Sequence, residues 1–220
     1  MKIENSITEK KVHFETEDNE KNQEMTSLQP FEATDLFRLN NINLDILTEN
    51  FPLGFYFEYL VFWPQLFFKS IETTIDENDN CSNISGYMMA KTEGKGHDWH
   101  CHITAVTIAP TFRRVSLASR LCKALEAITD SRPHEVNFVD LFVKCNNYLA
   151  IKLYEKLGYS VFRRVIGYYS SGDDGYPTSL KNTDDNTDAF DMRKSMPRDK
   201  ERSIRNDGRK HKCYPHDVRF

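Results

Sequence analysis

The stretch from Thr104 to Ala118, TAVTIAPTFRRVSLA, constrains this chain more than any other. Val106, Thr107 and Ile108 are β-branched and read as the end of a strand. Pro110 stops that strand, and Arg113-Arg114 lead into an apolar helix. A strand that ends in a basic turn and opens a helix is a ready anion site. The helix start carries unpaired N–H groups and the positive end of the macrodipole. Successive amides at such a turn can cradle a pyrophosphate. The pattern therefore names a ligand class, a phosphorylated cofactor, before any catalytic residue is chosen.

The surrounding sequence supplies an α/β frame. Leu28 to Phe31 predicts a short strand, and Thr34 N-caps a helix running to about Asn43. A helix from Gly54 to Trp63 follows Pro52, then strands at Leu66–Ile71, Ile84–Lys91 and Trp99–Ile108, with a turn at Glu93–Gly96. After Arg114, Leu117, Leu121, Leu125 and Ile128 recur at helical spacing. Val136–Val143 reads as a buried strand. A second amphipathic helix spans Asn147–Leu157, with Leu149, Leu153, Tyr154 and Leu157 inward and Gly158 at C′. Strands at Tyr159–Tyr169 and Ala189–Arg193 complete the set. The order predicts an α/β domain around a mixed sheet.

Three segments divide the chain: a polar leader over 1–24 expected to be disordered, a domain over 25–194, and a tail over 195–220 expected to be weakly ordered. The tail is basic, and contact with a partner or with ribosomal RNA and simple solvation are both open to it. The whole chain has 29 Lys and Arg against 33 Asp and Glu, so no global basic field calls for nucleic acid. The N-terminus has no apolar signal core. The most apolar run, Phe55–Phe68, is broken by Glu58, Pro64 and Gln65 and cannot span a membrane. Five scattered cysteines without CxxC spacing read as reduced thiols in a cytoplasmic protein.

The motifs carry a resemblance. Arg113-Arg114-Val115-Ser116-Leu117-Ala118 is similar to the pyrophosphate turn of the GNAT acetyltransferases, Arg/Gln-x-x-Gly-x-Gly/Ala, with Ser116 where the family has Gly. The segments PFEATDLFRLNNINLDILTENF, WHCHITAVTIAPTFRR, VDLFVKCNNYLAIKLYEKLGYSVFRRVIGYY and DAFDMRK resemble, within that family, the NatB-type catalytic subunits, the fungal ones above all. The resemblance implies a GNAT fold, a central mixed and mostly antiparallel sheet flanked by helices. It implies acetyl transfer from acetyl-CoA to the α-amine of nascent chains starting Met-Asp, Met-Glu, Met-Asn or Met-Gln. It also implies a helical-repeat auxiliary subunit and association with ribosomes. A GNAT of other amine specificity and a non-catalytic acyl-CoA-binding module remain open alternatives.

Residue by residue, cofactor binding is expected from Val106, Thr107, Ile108, Arg113, Arg114, Val115, Ser116, Leu117 and Ala118, with Asn147 at the second helix's start. Tyr154 is the expected acid for the leaving thiolate, as in many GNATs, and also touches cofactor; core packing is its other reading. An α-amine titrates at about 7.7–8.0, so no strong base is required. His100 and His102 share a strand face, with His97 and Cys101 nearby, but Cys101 points the other way and no metal is expected. The resemblance puts His102 beside the peptide, where it is both catalytic-site and substrate-reading, with Thr104 on the same strand. It makes Glu49 and Phe51 one substrate loop and Tyr168 and Tyr169 the opposite wall. The aromatic cluster Phe55-Tyr56-Phe57-Tyr59-Phe62-Trp63 exceeds what one helix can bury and is read, with the first helix, as the auxiliary-subunit face, some of its residues filling the core.

Overall fold

The structure is a computed structural model that describes residues 13–14, 25–46, 48–73, 82–170, 180–181, 183–200 and 207–218. It divides into two compact units, residues 1–87 with 107–117, and residues 88–106 with 118–220.

In the first unit, β1 (His13–Phe14), β2 (Met25–Pro30), β3 (Phe67–Thr73) and the start of β4 (Ser82–Glu93) lie in that order. β1 and β3 are both antiparallel to β2. The leader thus contributes a two-residue strand, opposite Thr26 and Ser27; the rest of 1–24 lies outside the described residues. The expected first helix is a 3-10 turn at Ala33–Arg38 followed by α1 (Asn40–Asn43). Its N-cap is Glu32, not Thr34: Glu32 N–H donates to Asp35 at 2.7 Å, and the two side chains form a reciprocal capping box. α2 (Leu53–Phe62) starts after Pro52, as expected. The core is aromatic, with Phe31 stacked on Phe67 at 4.0 Å and Tyr87 fully buried beside both. Buried Lys69 is tied to buried Asp35.

The second unit holds the end of β4, most of β5 (His100–Ile108), β6 (Phe138–Lys144), β7 (Ser160–Val165), β8 (Ala189–Ser195) and β9 (Lys212–Cys213), in the order β4-β5-β6-β8-β7-β9. The β5–β6 and β7–β9 pairs are parallel, and β8 is antiparallel to both its neighbours. α3 (Leu117–Asp130) buries Leu117, Leu121 and Leu125 as the spacing predicts, with Ile128 half-buried. α4 (Tyr148–Lys156) turns differently: Ile151 and Tyr154 are its buried residues, and Leu149 is 76% exposed. The strand expected to run to Tyr169 stops at Val165, and residues 166–169 form a turn.

The tail departs from expectation. β9 pairs with Arg164 and Val165, and Arg164 and Ile166 donate their N–H groups to His211 and Cys213 carbonyls at 2.8 and 2.9 Å. Gly208 lies so close to β7 that a Cβ there would meet the Val161 carbonyl at 1.7 Å. Lys212–Cys213 are therefore the sheet's edge strand, with Gly208 packed against β7. Cys101, Cys122, Cys145 and Cys213 are unbridged, and burial pushes the Cys122 and Cys145 thiols up to about 12. No described helix is long and apolar enough to cross a membrane.

Candidate active site

β5 ends at Ile108, and one 3-10 turn at Pro110–Phe112 leads into the basic turn. Arg114 and Ser116 both take positive φ, +73° and +63°. Alternation of left-handed with ordinary residues is what curls consecutive amides towards one point, forming an anion nest. Arg114, Val115 and Ser116 are exposed. The Arg113 side chain is otherwise engaged: Nε donates to the Ile108 carbonyl at 3.1 Å, and Nη2 lies 3.0 Å from Asp45. It anchors the turn, a task distinct from the ligand contact expected of it. Close upstream, a Cβ on Gly86 would stand 2.6 Å from the Thr107 carbonyl, so β4 can pass β5 there only as glycine.

Also in the first unit is the loop holding Glu49 and Phe51. Glu49 is exposed, and Phe51 stacks on Phe55 at 4.7 Å and meets Tyr56 edge-on at 5.9 Å. The Tyr56 hydroxyl accepts the Phe51 N–H and the Asn43 amide, each at 3.4 Å, and Tyr87 donates to the Asn43 side chain at 3.2 Å. Burial, with the neighbouring Tyr56, keeps the Tyr87 phenol well above its ordinary range. Asn43, Tyr56 and Tyr87 thus tie the loop to β4, a link no sequence pattern announced.

In the second unit, His102 Nδ1 lies 3.0 Å from the Asp140 carboxylate. The His102 ring is 5.5 Å from Phe142, which stacks on Tyr168 at 4.6 Å; Tyr168 meets Tyr169 edge-on at 4.9 Å. His102, Tyr168 and Tyr169 are therefore brought together, with Phe142 as the bridge. Thr104 is half-buried two residues along β5. Asn147 caps α4 by accepting from Ala150 N–H at 3.2 Å. Tyr154 is 7% exposed and packs edge-on against Tyr159 at 5.7 Å. Burial, with Cys122 and Tyr169 nearby, raises its pKa, so the phenol keeps its proton. His100 is fully buried and spends its Nδ1 on the Asp98 carbonyl at 2.6 Å. Among the described residues, no group of three or more His, Cys, Asp or Glu is set to hold a metal.

The expected site residues thus fall in both units: Glu49, Phe51, Thr107, Ile108 and Arg113–Leu117 in the first, and His102, Thr104, Val106, Ala118, Asn147, Tyr154, Tyr168 and Tyr169 in the second. Asp140 was the signal missed. A lone acid inside the apolar run VNFVDLFV must find a partner if that run is a buried strand.

Comparison with known proteins identifies the family. The pattern of the Acetyltransferase (GNAT) family matches residues 36–159. The N-terminal acetyltransferase B complex catalytic subunit NAT3 of Saccharomyces cerevisiae is 72% identical over 196 residues, 89% of this chain and all of that one. Among solved structures, a NatB acetyltransferase complex bound to a bisubstrate inhibitor contains a chain 49% identical, with a TM-score of 0.75 over 88% of this chain and 99% of that one. Chaetomium thermophilum Naa20 in complex with a bisubstrate analogue is 40% identical, with a TM-score of 0.69 over 86% and 97%. The chain belongs to the GNAT acetyltransferase family, in the branch of N-terminal acetyltransferase B catalytic subunits.

Proposed function

We propose that this chain moves the acetyl group of acetyl-CoA onto the N-terminal α-amine of proteins starting Met-Asp, Met-Glu, Met-Asn or Met-Gln, as the catalytic subunit of a cytoplasmic, ribosome-associated NatB complex. The observation that carries the reading is 72% identity along the full length of a NatB catalytic subunit. The nest at Arg114–Ser116 suits a pyrophosphate, since its exposed residues, two of them at positive φ, precede a helix start.

The residues divide the work. The backbone of Arg113–Ala118 holds the cofactor's phosphates, with the Val106–Ile108 strand edge and Asn147 completing the contact. Acetyl-CoA would supply the acyl group, the new C–N bond forming as the C–S bond breaks and CoA leaves as its thiolate. Tyr154, kept protonated by burial, donates a hydrogen bond to the departing sulfur and relays to it the proton that the attacking amine gives up, so the phenol ends protonated. Glu49 attracts the amine, Phe51 walls the initiator methionine, and Tyr168 and Tyr169 hold the peptide main chain. His102, with Thr104, addresses the second residue's side chain, as donor to a carboxylate or a carboxamide carbonyl.

A helical-repeat auxiliary subunit covers the α1–α2 region. Phe37, Leu44, Ile46, Leu53, Val61 and Phe62 are all more than 60% exposed there, an apolar display that calls for a cover. The test is acetylation by the co-expressed complex of peptides starting Met-Asp, Met-Leu and Ser-Glu. Selective turnover of Met-Asp is expected, and equal rates on all three overturn the assignment.

A further inference from the structure

In the proposed function His102 addresses the substrate's second side chain, and the role of its partner Asp140 rests on that reading. Asp140 lies directly opposite His102 in the parallel β5–β6 pair. It is fully buried between Val139 and Leu141, and its Oδ2 has no hydrogen-bond partner among the described residues. An acid so placed is costly unless its charge is answered. Its Oδ1 is 3.0 Å from His102 Nδ1 and 3.7 Å from His100 Nε2.

The charges around this pair come from several elements. Glu93 on β4 stands 3.6 Å from His100 Nε2, with Lys91 paired to Glu93 at 2.7 Å. On β8, Asp191 is held by Arg193 at 3.1 Å and by Arg163 of β7 at 2.8 Å. Burial pulls His100 towards neutrality, but the Glu93 hydrogen bond and the Asp140 charge outweigh it and raise its pKa. The His100 ring is fixed flat on Phe138 at 4.7 Å.

An imidazole beside a carboxylate donates through the nitrogen that faces it. We propose that Asp140 is a positioning residue that accepts the Nδ1–H of His102. It thereby makes Nε2 the nitrogen that addresses the substrate, as a donor when the ring is charged and as an acceptor when it is neutral. The consequence is chemical selectivity. A charged ring donates to the carboxylate of Asp or Glu and to the carbonyl of Asn or Gln. A neutral ring, with its one proton committed to Asp140, offers only a lone pair. That lone pair accepts from a carboxamide N–H but repels a carboxylate. One pocket thus takes acids and amides through opposite hydrogen-bond polarities, and pH sets the balance.

The test uses the co-expressed complex and two peptides that differ only in the second residue, Met-Asp and Met-Asn, from about pH 6 to about pH 9. Both carry the same kind of α-amine, so its ionisation largely cancels in the ratio of their kcat/KM values. In the wild type that ratio, Asp over Asn, is expected to fall about tenfold as pH rises, through KM. Asp140→Asn removes the charge and frees the tautomer. The ratio should then flatten with pH, and KM for Met-Asp at pH 6 should rise severalfold with kcat little changed. A wild-type ratio that does not move with pH overturns the proposal whether or not the variant folds, as does an Asp140→Asn enzyme with the wild-type profile. His102→Ala separates the two layers. Unchanged KM for both peptides in that variant sinks the reading of His102 itself, whereas raised KM beside a pH-independent wild-type ratio sinks only the role of Asp140.

Discussion

The Asp45 carboxylate lies 3.0 Å from Nη2 of Arg113. With the Nε bond to the Ile108 carbonyl, the guanidinium staples the end of β5 to the loop after α1. Arg113→Lys cannot make both contacts, because an ammonium lacks the planar fork. Arg113→Lys and Asp45→Asn should each raise KM for acetyl-CoA by about three- to tenfold, the scale of a partly exposed ion pair. Steady-state kinetics with varied acetyl-CoA reads this directly.

Ser116 occupies a left-handed conformation, φ +63°, that costs a side chain about 1–2 kcal/mol. Glycine removes that strain but adds freedom to the unfolded chain. Ser116→Gly should be more stable by about 0.5–1 kcal/mol. A denaturation midpoint no higher than wild type counts against strain at this residue.

Tyr154→Phe keeps the ring packed against Tyr159 and removes only the hydroxyl. The expected loss is about a hundredfold in kcat with the melting temperature nearly unchanged. Wild-type turnover would remove Tyr154 from the chemistry.

Asp35 and Lys69 are both buried, and Asp35 also accepts the Glu32 N–H. Asp35→Ala strands an ammonium in the core and should cost about 3–5 kcal/mol. The double change Asp35→Leu with Lys69→Met should recover most of that. Urea unfolding of the three proteins supplies the comparison.

Glu93 titrates near 2 although burial alone would raise it, because hydrogen bonds from His100 and Lys91 favour the carboxylate. A carboxyl whose folded pKa is depressed adds stability above its ordinary pKa of 4.5 and loses it as pH falls towards 2. Glu93→Gln should therefore melt below wild type at neutral pH, with the gap closing between about pH 4.5 and about pH 2. His100 acts in the opposite sense: its raised pKa stabilises the fold below about 6.5, and that contribution is lost as pH rises past its folded value.

Local pattern and tertiary setting divided what could be read in advance. The inward face of α3 and the start of α2 after Pro52 follow from spacing and proline geometry, which act within a few residues. The cap at Glu32 did not, because a Thr two residues later is the better capper in isolation, while Asp35 completes the box only once Lys69 holds it. Leu149 reads as inward on a helical wheel, yet the buried side of α4 is set by Ile151 and Tyr154. Within the candidate site, the turn Arg113–Ala118 was legible as an anion cradle, but the anchoring of Arg113 by Asp45 spans 68 positions and has no local signature. Asp140 left a trace as one acid in an apolar strand; its partner His102 could be named only by pairing β5 with β6.

The docking of Gly208 and β9 on β7 bears on how alleles of this gene behave. A stop codon just after Ser195 would spare every residue assigned to chemistry. It would also bare the β7 edge, leaving the N–H groups of Arg164 and Ile166 without their carbonyls. Open strand edges recruit other chains, and marginal folds are cleared by quality control. Late nonsense alleles should thus resemble a shortage of enzyme, with scarce protein that is fully competent per molecule, and added gene copies should suppress them where they cannot rescue Tyr154→Phe.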